Sequence, residues 1–168
     1  MSGRIYNVLF LCTGNSARSI LGEALLNTMG ASRFHAYSAG SHPAGQVQPL
    51  ARELAIEMGY DPARLRSKSW DEFAAADAPR MDFILTVCDS AAGEACPLWP
   101  GHPATAHWGV PDPAAVQGDA ATRRAAFRAT LLALRQRIEL LINLPDQKLD
   151  ALAARASLAA IHASVGAP

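Results

Sequence analysis

The chain has 168 residues, half of them apolar, with 15 basic and 15 acidic residues and a formal net charge of zero. That length suits one ordinary domain with a real core, and the balanced charge lacks the basic excess expected of a nucleic-acid binder. No run reaches the length of a membrane helix, and the N-terminal apolar core, Val8 to Cys12, leads straight into a polar turn, so a cytoplasmic protein with no membrane partner is expected. Three cysteines without an export signal argue against a disulfide framework and favour redox or catalytic use.

Ile5 to Leu11 is short and rich in β-formers, as a buried strand requires, and Ile20 to Met29 carries apolar residues at helical spacing. Between them stands Cys12-Thr13-Gly14-Asn15-Ser16-Ala17-Arg18-Ser19, a strand-to-helix turn. Backbone N–H groups converge in such a turn and the helix N-terminus adds positive potential, which together make an anion cradle. Gly14 and the small side chains let a ligand approach the backbone. Arg18 offers a planar fork suited to a tetrahedral oxyanion, and Cys12, in that positive field, is expected to have a depressed pKa. The local chemistry is a nucleophile facing an oxyanion.

The first helix should end near Gly30, and Arg33 to Ser38 reads as a second strand closing in Ser38-Ala39-Gly40-Ser41, a place where open α/β sheets carry ligands. Leu50, Leu54 and Met58 predict an amphipathic helix over Val47 to Met58, stopped by Gly59. Tyr60 to Phe73 is polar, and Arg64, Arg66 and Lys68 read as a solvated face. Asp82 to Val87 is a third strand ending in Cys88, Asp89 to Pro103 a loop carrying Cys96, and Thr105 to Val110 a fourth strand. Strands alternating with helices argue for a parallel sheet. Asp119 caps a long helix whose apolar side is Phe127, Leu131, Leu134, Ile138 and Leu141, with the arginines 123, 124, 128, 135 and 137 largely on the solvated side. Pro145-Asp146 interrupts it, and Leu149, Leu152, Ala156 and Ala159 start an alanine-rich tail helix. One domain over residues 1–144 and a helical extension over 145–168 are expected, the latter able to dock on its own domain or to form a homodimer. His102, His107 and Cys96 lack a second closely spaced ligand pair, so no metal is expected; Trp99 and Trp108 read as packing residues.

The Cys-x5-Arg-Ser pattern of Cys12, Arg18 and Ser19 resembles the low-molecular-weight protein tyrosine phosphatase superfamily, and Cys12-Thr13-Gly14-Asn15-Ser16 resembles its arsenate reductase branch. The resemblance implies a three-layer α/β fold with a four-stranded parallel sheet flanked by helices, followed here by an extra C-terminal helix. It also implies that Cys12 is the nucleophile, that Arg18 and the amides of Thr13, Gly14, Asn15, Ser16, Ala17 and Arg18 bind the oxyanion, and that Asn15 and Ser19 hold the loop. Asp112, before Pro113 and after the fourth strand, corresponds to the general acid, which must be protonated to serve a leaving oxygen. The segment Arg66-Ser67-Lys68 resembles the one that approaches the anion loop from the side. Some arsenate reductases hold a potassium ion there; Asn15, Glu23 and Ser38 match three of its ligands, whereas the acidic residue expected near Ser69 is missing and Lys68 offers a charge of its own.

The branch further implies a relay through Cys88 and Cys96: Cys12 attacks arsenic, a second thiolate attacks Cys12 to expel arsenite, and an external thiol reduces the resulting disulfide. Eight peptide steps from Cys88 to Cys96 span about 12 Å as helix and well over about 20 Å as strand, against about 4.4–6.8 Å between Cα atoms in a disulfide. The loop must therefore refold to oxidise, and the small residues Ala91, Ala92, Gly93 and Ala95 leave it little packing to lose. Seven residues, 89 to 95, lie between these cysteines, one more than in the best-known thioredoxin-coupled members, which leaves the reductant open among thioredoxin, glutathione with glutaredoxin, and mycothiol with mycoredoxin. No tightly bound cofactor is expected. A phosphatase for phosphotyrosine or a small phosphoester would need only Cys12, Arg18 and Asp112, and a non-enzymatic oxyanion-binding or redox-sensing domain would need no turnover at all; the phosphatases follow Asp-Pro with tyrosines, where this chain has Ala114 and Ala115.

Overall fold

A computed structural model of the chain describes residues 4–88 and 103–154. Its centre is a four-stranded, all-parallel sheet in the order β2-β1-β3-β4, with β1 at Tyr6–Leu11, β2 at Phe34–Ala39, β3 at Phe83–Thr86 and β4 at Ala104–His107. β1 is central because both its faces are apolar: five of its six residues are buried, as a strand covered on both sides requires. The fourth strand is shorter than its sequence pattern suggests, although Trp108 and Val110 still donate to Thr86 and Val87 at 2.7 and 3.1 Å and carry the chain along β3.

Helices cover both faces. Tyr6, Val8 and Phe10 point toward α1 (Arg18–Met29) and α4 (Ala120–Ile142), packing with Leu21, Leu25, Phe127, Leu134 and Ile138. Leu9, Leu11 and Ile84 point the other way, against Phe73 of the short α3 (Asp71–Ala74), Met81 and Ala39. Each such Leu, Ile or Phe contributes roughly 1.5–3 kcal/mol on burial. The helix α1 lies especially close to β1, because a Cβ on Gly22 would stand 2.6 Å from the Phe10 ring. That close seat fixes where the N-terminus of α1 opens.

α2 (Pro49–Glu57) packs beside α1 through Ala55. The arginine row of α4 is more than a solvated face, since Arg124 and Arg128 reach Glu53 and Glu57 of α2 at 2.5 and 3.2 Å. On the apolar side Thr130 is buried in addition to the expected residues, while Leu131 is only partly so. Asp119 caps α4 by accepting from Thr122 N at 2.8 Å. After the Asn143–Pro145 break a fifth helix, α5, begins at residue 146 and is followed to 154; its Leu149 is fully buried in the main core. Arg33 secures the break by donating to the carbonyls of Ile142 and Leu144, both at 2.8 Å, and to Asp146 at 2.6 Å. Among the described residues no helix is long and apolar enough to cross a membrane.

The register brings one end of the sheet to a focus. Leu11 stands opposite Ala39 on one side and Thr86 on the other, so Cys12, Gly40 and Val87-Cys88 leave the sheet at the same level. The chain turns in opposite directions from β1 and β3, which makes this the switch point where open α/β sheets bind ligands.

Candidate active site

The octapeptide does form the turn from β1 into α1. Helix α1 starts at Arg18, two residues earlier than its apolar pattern suggests, and Ala17 at its N-cap offers no side-chain acceptor. The first intrahelical bond ending the loop runs from Leu21 N to Ala17 O, so the preceding amides carry no partner inside the helix and open on the loop. Asn15 adopts φ of +45°, a left-handed conformation that costs a non-glycine residue about 1–3 kcal/mol unless its surroundings impose it. They do: Asn15 Nδ2 donates to Ser19 Oγ at 2.8 Å, and Asn15 Oδ1 accepts from Lys68 N at 2.9 Å. Asn15 thus ties the loop to Ser19 in the first turn of α1 and to the Lys68 backbone.

A second layer braces the loop from outside. His42 N donates to Thr13 O, Ala44 N to Gly14 O and Gln48 N to Ser16 O, each at 2.9 Å, and Ser67 Oγ donates to Gly14 O at 3.0 Å. Gly40 makes this possible, since a Cβ there would lie 2.5 Å from Thr13 O and 2.8 Å from Cys12 O. Gly14 has ordinary room, with only Ser16 Oγ at 3.6 Å from its Cβ position. The tight spot is on the neighbouring strand, a role that the phrase Ser38-Ala39-Gly40-Ser41 located without revealing.

Cys12 is buried at the foot of the loop, 5% exposed, and Cys88 is buried beside it. Thr13 N donates to Cys88 Sγ at 3.3 Å and the Thr13 hydroxyl stands 3.6 Å from the same sulfur. The expectation of a depressed Cys12 pKa is corrected. Contact with the Cys88 side chain and burial push the Cys12 thiol up, against the downward pull of the Arg18 guanidinium and the Gly14 N–H. Two neighbouring thiols resist ionising together, and the sequence places Cys88 75 residues away from Thr13, so this coupling is invisible in the motif. The Thr13 amide thus faces Cys88 at the foot of the loop.

Arg18 Nη1 donates to Val110 O at 3.1 Å, and its Nη2 lies 3.9 Å from Asp112 Oδ2. Asp112 is 44% exposed at its side chain, and its Oδ1 accepts from Ala114 N at 3.0 Å, capping the 3-10 turn Pro113–Ala115. The cap fixes the carboxyl rotamer toward Arg18. Cys12, Arg18, Asp112 and Cys88 thus converge; Cys96 lies outside the described residues.

Lys68 is not solvated. Its side chain is 7% exposed, with Nζ 2.9 Å from Arg66 O, 3.4 Å from Ser38 Oγ and 3.8 Å from Glu23 Oε1. Glu23 also accepts from Ser38 Oγ at 2.7 Å and Tyr60 OH at 2.5 Å. Burial lowers the Lys68 pKa, and the Glu23 charge counters it. Removing one partner of such a buried pair typically costs about 3–5 kcal/mol. A potassium ion does not fit here, because the Lys68 ammonium occupies the space between Glu23 and Ser38, and Asn15 has already spent its carboxamide on Ser19 and Lys68. Among the described residues no group of three His, Cys, Asp or Glu side chains is placed to hold a metal ion.

Residues 7–154 match the family model for low molecular weight phosphotyrosine protein phosphatase. The chain belongs to this family. Within it, an arsenate reductase of Bacillus subtilis (strain 168) is 35% identical over 121 residues, covering 72% of this chain and 84% of the relative. Among solved structures, an arsenate reductase from Archaeoglobus fulgidus DSM 4304 is 30% identical with a TM-score of 0.63, over 82% of this chain and 99% of that one. A low molecular weight protein tyrosine phosphatase from T. tengcongensis is 25% identical with a TM-score of 0.64, over 82% of this chain and 97% of that one. The fold expected from the sequence, a parallel four-stranded sheet between helical layers, is thus the fold of the family.

Proposed function

We propose that this protein is an arsenate reductase working by a thiol relay. One observation carries the choice over a phosphatase: a second buried thiol, Cys88, lies against Cys12 and receives the Thr13 N–H. Phosphoester hydrolysis uses one thiol and water, and gains nothing from a second sulfur at the foot of the loop.

In the first step Cys12 Sγ passes its proton to an arsenate oxygen and attacks arsenic; an As–S bond forms, and an arsenate hydroxyl leaves as water with a proton from Asp112. The Arg18 fork and the loop amides hold the remaining oxygens and offset their charge. Cys88 then attacks Cys12 Sγ. An S–S bond forms as the As–S bond breaks, its electron pair stays on arsenic, As(V) becomes As(III), and arsenite departs. An N–H aimed at Cys88, as Thr13 provides, favours the attacking thiolate. Cys96 would take over Cys88 as a disulfide partner, and thioredoxin or glutaredoxin would reduce the product.

The experiment is NADPH oxidation dependent on arsenate, coupled through the thioredoxin or the glutathione–glutaredoxin system. Turnover should vanish in Cys12→Ser and in Cys88→Ser. Full turnover in Cys88→Ser would refute the relay. Aryl phosphate hydrolysis at rates indifferent to Cys88, with no arsenate turnover, would make the protein a phosphatase, and neither activity would leave an oxyanion-binding or redox-sensing domain.

A further inference from the structure

Beneath the anion loop, Glu23, Ser38, Tyr60 and Lys68 form a buried polar cluster that the relay does not use. Every buried side-chain nitrogen and oxygen among the described residues has a hydrogen-bond partner, so this cluster is a completed network. At its centre an ammonium group faces a carboxylate oxygen, a hydroxyl and the Arg66 carbonyl. Oxygens of these three kinds are what a large monovalent cation takes as ligands. The backbone of the same residue ties the loop to the end of β2: Lys68 N donates to Asn15 Oδ1, and Gly40 N donates to Lys68 O, both at 2.9 Å.

We propose that the Lys68 ammonium is a covalently attached counter-ion that takes the place of a free potassium ion, anchoring the segment that holds Asn15 in its left-handed conformation. Lys68 is a positioning residue, acting on the oxyanion through Asn15. Two consequences follow for this chain. Its stability and oxyanion affinity are indifferent to potassium, and removing the lysine side chain opens a potassium site lined by Glu23, Ser38 and the Arg66 carbonyl.

The test uses inorganic phosphate and no redox reagents, so its failure is distinguishable from failure of the arsenate reductase reading. The wild-type chain should show the same melting temperature and the same phosphate affinity in potassium chloride as in choline chloride at equal ionic strength. Lys68→Ala should melt lower and bind phosphate about tenfold more weakly, the usual scale for losing a supporting partner. Replacing choline by potassium should restore both, by about 3–5 °C at tenfold excess over the dissociation constant. Adding Glu23→Gln should abolish the recovery, which a merely structural lysine would not predict. A wild type stabilised by potassium, or a folded Lys68→Ala that ignores it, overturns the proposal. Should Lys68→Ala not fold, Lys68→Gln serves: phosphate affinity equal to wild type in choline chloride would also overturn it.

Discussion

The two ends of the sheet handle charge in opposite ways. At the N-terminal end, Arg4 bridges Asp82 and Asp150 at 2.6 and 2.5 Å with side chains 44%, 21% and 50% exposed, and Tyr6 OH donates to Asp150 at 2.7 Å. At the C-terminal end the corresponding groups are inside: Glu23, Lys68, Asn15 and Ser19 are buried, and their partners are one another, the Ser38 and Tyr60 hydroxyls and the Arg66 carbonyl. The exposed network ties α5 to β1 and is worth little per ion pair. The buried one dictates a backbone conformation that the loop would not otherwise adopt. Charge at the solvent edge stabilises the fold, whereas charge beneath the loop shapes a site.

This contrast orders the expected effects. Asp112→Asn should lower arsenate turnover by about 10²–10⁴-fold, and Arg18→Lys by about 10²–10³-fold through loss of the fork, both read in coupled assays with little change in melting temperature. Gly40→Ala drives a Cβ into Thr13 O and Cys12 O, and should cost about 1–3 kcal/mol by denaturant unfolding while weakening phosphate binding measured by calorimetry. At the other end, Tyr6→Phe should cost only about 1 kcal/mol and leave phosphate affinity unchanged.

The Tyr6 substitution also has a pH signature. Burial, aided by Asp150, raises its pKa from 10 to about 12, so the folded state favours the neutral phenol. Its contribution is complete below pH 10 and lost as the pH rises through about 12. Wild-type stability should fall over that window more steeply than that of Tyr6→Phe. Smallest of all, Glu72→Gln removes an exposed pair with Arg66 that holds the Glu72 pKa down. It should cost less than about 1 kcal/mol at pH 7, a difference that disappears as the pH falls below the ordinary carboxylate value.

Much of this was legible in the sequence, for a physical reason. The nucleophile, the arginine and the loop are contiguous, so a local turn determines them, and Asp112 follows a strand that the pattern revealed. What stayed hidden depends on register. Gly40 is crowded only because Ala39 pairs with Leu11, and Cys88 touches Cys12 only because β3 lies beside β1. The local motif supported a low Cys12 pKa until that neighbour was in place. Lys68, in a polar segment, looked solvated because its side-chain partners are far away in sequence: Glu23 and Ser38 come from α1 and β2.

The juxtaposed thiols give the most direct test. After arsenate treatment of Cys96→Ser, which stops the relay at its first disulfide, peptide mapping should find Cys12 joined to Cys88 with about one arsenite released per disulfide, the ratio set by the two electrons each transfer requires. Both thiols intact after arsenate treatment of this variant would contradict the account.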